Sequence, residues 1–500
     1  MTGRGARSAA RARRRGAAAA VLLCLVATAC GARLPGDVQK AASNAVLQPR
    51  QGSAAQSAGN GGGVNPVVTS PAGAPNSGSL PGVPSSASTA PADGGSGPTA
   101  QASASSSAAA SECSGGTDVG LTASTLTLGE IATLSGPVSG LFDGAVHGGE
   151  AFANYVNHAG GGICGRQVKV DVSDDGANCT QDENATQNFV GKAFALSGSF
   201  ALYDGCGATV VKANPGVADI HVALDPAAES PANHFDISAK EPGFATGMFR
   251  YYKQKYGSKL DHIGTIVEDI PSAVANQANF VHSAESEGWH FTDSILEQAT
   301  NSNFQQDFNK LCSREHIQVF FELTEPAGNA AEMVNNERQA GCPKSLINIF
   351  PIAYDQGFLQ DFAGNTSALD GMQGWTEYAL FFNKDEAANN PEVKLLQEWY
   401  SRTYPGVPIN LYGMYAWASD RLLEQAADSV KGPLTRKSLL SALRKIKSFS
   451  DNGLIAPVDP NAGGPHCYIL FQFRNGGFER VDDPKTGYRC DGRFLPRPTG

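Results

Sequence analysis

LGEIATLSGPVSGLFDGAVHGGEAFANYVNHAGGGICGRQVKVDVSDDGANC, residues 128–179, decides how the rest of the chain is read. The apolar run at its start has strand character and stops at Ser135-Gly136-Pro137, a turn tripeptide that favours neither a ladder nor a helix. Small and apolar residues then recur at Ala145, Gly149, Phe152 and Val156, the spacing of one helix face. A glycine turn follows, and residues 168–172 alternate as a strand does. The stretch is one β-turn-α-turn-β unit. Gly160, Gly162 and Gly165 satisfy GxGxxG, but they come after a helix and before a strand, the reverse of a dinucleotide-binding order, and read as a turn.

The same rhythm continues. Strands are expected at 126–132, 168–172, 194–196 and 221–224, and in a second group at 262–267, 290–296, 318–321 and 345–350. Helical patterns lie between them, for example 243–256, 273–287 and 327–340. Roughly 370 residues are too many for one small core, and strand-helix alternation indicates α/β architecture with doubly wound, mainly parallel sheets in two lobes. Three further helical patterns, 391–404, 412–429 and 435–446, precede a hairpin whose strands, 468–474 and 478–481, flank Asn475-Gly476-Gly477.

The Ser-Gly-Pro turn and the later glycine turn ending in Gly165-Arg166 resemble the opening of the type I periplasmic binding proteins, in particular the branched-chain amino-acid (Leu/Ile/Val) binding branch of ABC transporter substrate-binding lipoproteins. The resemblance implies two lobes joined by three crossover segments, with the hairpin on the second: 119–240 plus 371–449 as lobe 1, and 241–370 plus 450–493 as lobe 2. It also implies capture of a small polar solute, an amino acid or related compound, between closing lobes and its delivery to a membrane ABC permease. No catalysis and no cofactor are expected, and a monomer is. A ligand-sensing lipoprotein that signals to a membrane receptor is the alternative within binding. An exported enzyme without a recognisable motif, or a structural wall protein, are alternatives of other classes.

The first 30 residues carry six arginines and no acid, then an apolar run at 17–26, then Ala27-Thr28-Ala29-Cys30. This pattern predicts a secretory signal over 1–29, too short for a stable membrane span. Its end resembles a bacterial lipobox, which implies lipid on Cys30 and attachment to the cell membrane. Ala27 stands where leucine is commoner, so ordinary signal-peptidase cleavage is the alternative. Loss of six arginines moves the formal charge from -10 to -16. A product this acidic offers no basic footprint for nucleic acid. Residues 30–118 are rich in Ala, Ser, Gly and Pro, and the first aromatic of the chain is Phe142, so a disordered tether reaching roughly 50 Å is expected, with an unselected low-complexity insertion as the alternative.

Ten cysteines are present; without Cys24 and Cys30 eight remain, an even number in an exported chain, which allow 105 pairings. The resemblance implies Cys179–Cys206, after which Cys113–Cys164, Cys312–Cys342 and Cys467–Cys490 follow as neighbours. There is no CxxC, no GxSxG, no Walker loop and no HExxH, and the histidines lack metal-ligand spacing, so no metal or catalytic site is expected. Asp174 and Asp175, adjacent at a strand end, point in different directions and read as an acidic loop.

In open α/β sheets ligands bind beyond the carboxyl ends of strands. The loops in question put forward Ser135, Gly136, Phe142, Gly207, Ala208, Thr209, Ala228 and Glu229 from the first lobe, and Asp269, Thr324, Tyr354 and Asp355 from the second. Compared with the resembled branch, the polar clamp is altered. A carboxylate-binding serine is replaced by Gly207, a threonine by Glu229, two tyrosines by Leu141 and Ala273, and the ammonium-binding glutamate by Ile352. A buried charge without a partner costs several kcal/mol, so another acid among Glu229, Glu268, Asp269 and Asp355 would have to replace that glutamate. An amino acid in another pose and a different small solute both stay open. Trp375, beside the return crossing, is a further aromatic to place.

Overall fold

The central strand of the first lobe, Thr125–Ala132 (β1), is buried along almost its whole length, as a parallel strand covered on both faces must be. The computed structural model describes residues 113–496, except 239–242, 323–326, 363–364, 463–466, 482–483 and 492. The expected signal, Cys30, most of the tether and Thr324 lie outside the described residues. After β1 come Asp143–His158 (α1), Gln167–Asp174 (β2), Cys179–Lys192 (α2), Ala195–Ser197 (β3), Asp204–Ala213 (α3), Asp219–Ile220 (β4) and His234–Phe235 (β5). Their sheet is parallel throughout, in the order β2-β1-β3-β4-β5, a doubly wound arrangement.

The chain then crosses into a second sheet through Gly243–Ala245 (β6) and Gly247–Tyr256 (α4). It continues as Ile263–Glu268 (β7), Pro271–Ser286 (α5), Phe291–Glu297 (β8), Val319–Phe321 (β9), Ala327–Gln339 (α6), Ile347–Ile349 (β10), Gln356–Asp361 (α7) and Gln373–Thr376 (β11). Helices Pro391–Thr403 (α8), Leu411–Asp428 (α9) and Arg436–Leu443 (α10) lead to the hairpin Ile469–Arg474 (β12) and Gly477–Arg480 (β13), then Phe494–Pro496 (β14). The second sheet runs β13-β12-β11-β10-β9-β7-β8, with β12 antiparallel to β11 and β13; β14 pairs separately with β6. The hairpin turns on Asn475 and Gly476, both at positive φ (52° and 82°), as a type I′ turn requires.

Three expectations need correction. Residues 221–224 are not strand. The amides of Ala223, Leu224 and Asp225 donate to the carboxylates of Asp236 (3.1 Å) and Asp204 (2.6 and 2.9 Å) rather than to a neighbouring strand, so β4 ends at Ile220. The helix expected from 243 begins at Gly247, because 243–245 pair with 494–496, a partner far away in sequence. Residues 373–376, placed at the start of the return to lobe 1, are a strand of the second sheet, hydrogen-bonded between β10 and β12.

Helix α9 packs on α1 in the first lobe through facing glycines. A Cβ on Gly148 would lie 2.1 Å from the Gly413 carbonyl oxygen, so only bare backbone allows this approach. The second and third crossings are joined by Ala379 N–H to Leu454 O (2.8 Å) and Ala456 N–H to Glu377 O (2.7 Å), and the first touches the third through Asp236 N–H to Pro460 O (3.2 Å). All four expected disulfides are present: Cys113–Cys164, Cys179–Cys206, Cys312–Cys342 and Cys467–Cys490. Beside the first, the buried Arg166 guanidinium donates to the carbonyls of Gly115, Gly116, Thr122 and Cys164 at 2.7–3.1 Å. Among the described residues no helix is long and apolar enough to cross a membrane.

Candidate functional site

The carboxyl ends of both sheets and the crossings enclose a cavity of about 260 Å³. Its first-lobe wall starts with Phe142, which caps α1. The turn before it is held by Asp174, whose Oδ1 accepts from the amides of Leu134 (3.0 Å), Ser135 (3.2 Å) and Gly176 (2.8 Å). Asp174 thus has a structural role, while Asp175, expected in an acidic loop, is buried and accepts from Ala177 N–H at 3.1 Å. The close α1–α9 crossing then brings Phe142 against Tyr412, with ring centroids 4.7 Å apart and edge to face. Phe200 lies 5.2 Å from Tyr412, and Tyr415 and Tyr378 meet edge to face at 5.6 Å. Leu141, Leu202, Val222, Leu224 and Leu411 complete an apolar surface on this side.

The second lobe contributes Glu268 at the end of β7, Ser272, Ala273, Asn276, Asn279 and Phe280 from α5, and Pro351 and Ile352 after β10. The Ser272 hydroxyl donates to the Leu202 carbonyl at 3.3 Å, a bond that spans the two lobes. Trp375 and Thr376 end β11 of the second sheet, and Ser238, Glu377 and Tyr378 come from the crossings. Three carboxyl groups therefore line the cavity, Glu229, Glu268 and Glu377, and among the described lining residues there is no lysine or arginine. Glu229 and Glu268 are buried, at 8% and 3% exposure. Burial and the nearby Asp236 carboxylate push the Glu377 carboxyl up to about 8.

Of the residues put forward from sequence, Phe142 and Glu229 line this cavity. Ser135 and Gly136 are exposed in the turn. Gly207, Ala208 and Ala228 border a separate void of about 20 Å³ inside the first lobe, and Gly207 N–H donates to Asp182 at 2.6 Å. Thr209 is exposed, with its hydroxyl on the Cys206 carbonyl (3.4 Å), and Asp269 faces solvent. Tyr354 is core: its ring stacks on Phe382 at 4.0 Å, and its oxygen accepts from the Phe382 amide at 3.1 Å. Asp355 caps α7 by accepting from Phe358 N–H at 3.0 Å. Leu141, Ala273 and Ile352, the positions where the resembled branch carries clamp residues, do line the cavity.

Sequence reasoning missed Tyr412, Tyr415, Thr376, Glu377 and Tyr378. The tyrosines sit in an ordinary helical pattern, and 376–378 carry no motif. Their one available signal was position, between a strand of one lobe and the helices of the other.

A second polar cluster lies behind the first-lobe wall. His221 and His234 each place Nδ1 on Asp219, at 2.9 and 3.0 Å, while His221 Nε2 lies 3.8 Å from Asp204. Burial alone would lower the His221 imidazole, but Asp219 and Asp204 outweigh it and hold it well above the usual range. Asp219, His221 and His234 bring metal-ligand atoms within 4.8 Å of one another, yet both Nδ1 atoms are occupied by the Asp219 carboxylate. The arrangement is that of a buried ion-pair network pinning β4 to β5.

A cavity between two doubly wound lobes, with three crossings beneath it, is the architecture of a receptor that closes on a solute. Residues 125–477 match the family model described as periplasmic binding protein. The chain belongs to the periplasmic binding protein family. No curated protein matches the chain in sequence. Among solved structures, it is similar to a fatty acid ABC transporter substrate-binding protein from Thermomonospora curvata, at 18% identity and TM-score 0.62, over 75% of this chain and 95% of that one. It is also similar to a possible leucine/isoleucine/valine-binding protein from Rhodopirellula baltica (13%, TM-score 0.60, 72% and 96%). A third is a solute-binding protein of an ABC transporter from R. palustris in complex with benzoate (18%, TM-score 0.56, 74% and 98%). Identities this low establish the shared fold. As a periplasmic binding protein of the ABC transporter type, the chain is a solute receptor rather than an enzyme, and it works outside the cytoplasm.

Proposed function

We propose that this periplasmic binding protein captures a compact small solute by closing its two lobes and delivers it to a membrane ABC permease, working as a monomer held to the cell membrane by lipid on Cys30. The reading rests on the cavity of about 260 Å³, walled by both lobes and the crossings. That size lies just below the range of about 300–1,000 Å³ typical of small-molecule pockets. Its mostly apolar wall suits a solute with a hydrocarbon body, as the names of the fatty acid and benzoate neighbours also suggest. Leu141, Ala273 and Ile352 lack the polar groups with which the resembled branch holds a free amino acid.

The test is a melting screen of the purified chain against amines, amino acids, carboxylates, amides and polyols, paired with small-angle scattering. A true ligand at 100 times its dissociation constant adds about 2.7 kcal/mol of stability and makes the particle more compact. If no class of solute raises the melting temperature or changes the scattering, the receptor reading fails.

A further inference from the structure

We propose that the solute is an organic cation with an apolar body and no carboxylate, its ammonium group held by Glu229, Glu268 and Glu377 and its hydrocarbon part by the rings of Phe142, Tyr412 and Tyr415. This rests on the receptor reading and names the class of solute for the same cavity.

The three carboxyl groups come from three different parts of the molecule. Glu229 is on a first-lobe loop, Glu268 ends a second-lobe strand, and Glu377 sits on a crossing. Closure gathers them around one space, where acidic oxygens in a partly desolvated cleft disfavour any further negative charge. A cation reverses the sign of that interaction, so it is the ligand that this charge arrangement rewards for closing the lobes. A carboxylate solute would add a fourth acid to a wall that, among the described residues, has no lysine or arginine. The N-terminus of α5 does open onto the cavity at Ser272 and Ala273. A helix end carries only a fractional charge, however, and the Ser272 hydroxyl is engaged by Leu202.

The rings agree with the charges. Phe142, Phe200 and Tyr412 pack at 4.7–5.6 Å, Tyr378 with Tyr415 at 5.6 Å, and Phe200 with Tyr415 at 6.5 Å, giving a continuous aromatic surface for the apolar body of the solute. An α-amino acid fits less well, since its carboxylate would meet the neutral donors of Asn276, Asn279 and the tyrosines but, among the described lining residues, no cationic side chain.

The proposal carries a pH signature. Burial and Asp236 leave Glu377 largely protonated at neutral pH, near about 8. The groups around it are Asp236 on the first crossing, with His234 3.7 Å behind it, Tyr378 on its own segment, and Tyr415 on α9. Of these, Glu377 is the one that a bound cation would deprotonate, so binding should release a proton and tighten as pH rises from 6 to 8.

The experiment is calorimetry on the full chain with a charge-matched series: benzylamine and benzyltrimethylammonium against benzoate, phenylalanine and benzyl alcohol. Either cation should bind, with proton release seen as a heat that depends on the buffer. Glu268→Gln and Glu229→Gln should each weaken it tenfold or more; melting curves of both variants confirm that they fold, and either one alone suffices. Binding by benzoate, phenylalanine or benzyl alcohol without the cations overturns the cation proposal and leaves the receptor reading intact. Cation binding that both glutamine variants leave unchanged also overturns it. A series in which nothing binds, together with a silent melting screen, overturns both.

Discussion

Arg421 grips the Glu392 carboxylate with two hydrogen bonds, Nε to Oε1 at 3.0 Å and Nη2 to Oε2 at 3.1 Å, tying α9 to the start of α8. The same carboxylate accepts from Trp417 Nε1 (3.1 Å) and Asn452 Nδ2 (2.8 Å), and Arg421 also reaches Asp451 (3.2 Å). Removing Glu392 strips the guanidinium of its bidentate partner, leaving it Asp451 and Glu424, and takes the acceptor from the buried Trp417 and Asn452 donors. Glu392→Ala is expected to lose about 3–5 kcal/mol of unfolding free energy. Urea denaturation followed by tryptophan fluorescence checks this, and a loss below 1 kcal/mol would contradict it.

Glu130 and Asp420 form a buried acid pair beneath Gly149 of α1. A Cβ there would sit 2.7 Å from a Glu130 oxygen and 3.6 Å from an Asp420 oxygen. Burial first, then Asp420 and Glu150, raise the Glu130 carboxyl; burial raises Asp420 to about 7 against the opposing hydrogen bond from Ser197. An acid whose folded value exceeds its unfolded one holds more protons when folded. The contribution of Asp420 is therefore complete below the ordinary carboxylate range, near pH 4, and is lost as pH rises through about 7, and Glu130 acts in the same direction. The slope is at most about 1.4 kcal/mol per pH unit for each group. Asp420→Asn should flatten the fall in urea midpoint between pH 5 and 7.5.

Gly148→Ala forces a methyl group onto the Gly413 carbonyl, at 2.1 Å before any adjustment. The neighbouring atom is backbone, so the helices must separate, and overpacking of this kind costs about 1–3 kcal/mol. Because the same crossing seats Phe142 against Tyr412, solute affinity should fall along with the melting temperature. A variant that loses stability while keeping full affinity would show that the crossing does not shape the cavity.

Cys312–Cys342 closes a segment of sequence separation 30 in the second lobe. Replacing both cysteines by serine should lower stability by about 2–4 kcal/mol. Since neither cysteine lines the cavity, affinity measured well below the new melting temperature should stay within twofold.

Much of the fold was legible because its signals are local. The helix spacing at Ala145, Gly149, Phe152 and Val156, the strand of 167–174 and the Asn475-Gly476 turn each depend on neighbours in sequence. What failed depends on distant partners. The strand expected at 221–224 yields to carboxylates at 204 and 236, and the helix expected from 243 yields its first turn to the chain end at 494–496. The site divides in the same way. Phe142 and Glu229 lie on the loops that follow β1 and β4 and could be placed by rule. Tyr354 and Asp355 follow β10 in the same way, but there the chain folds back at once, burying the tyrosine against Phe382 and using the aspartate as a helix cap. Glu377 and the α9 tyrosines reach the cavity only through the crossings and the glycine contact of α1 with α9, neither of which leaves a mark in the sequence.

The bond between Cys113 and Cys164, with Arg166 beside it, settles where a mechanical load enters the molecule. A pull on the chain ahead of Cys113 passes through the disulfide straight to Cys164, bypassing β1 and α1. That junction precedes β2, at the edge of the sheet opposite the strand ends that frame the cavity. If the chain is held at a membrane as proposed above, tension applied there would turn the lobe as a rigid body instead of peeling β1, and the loops that frame the cavity would stay out of the line of force.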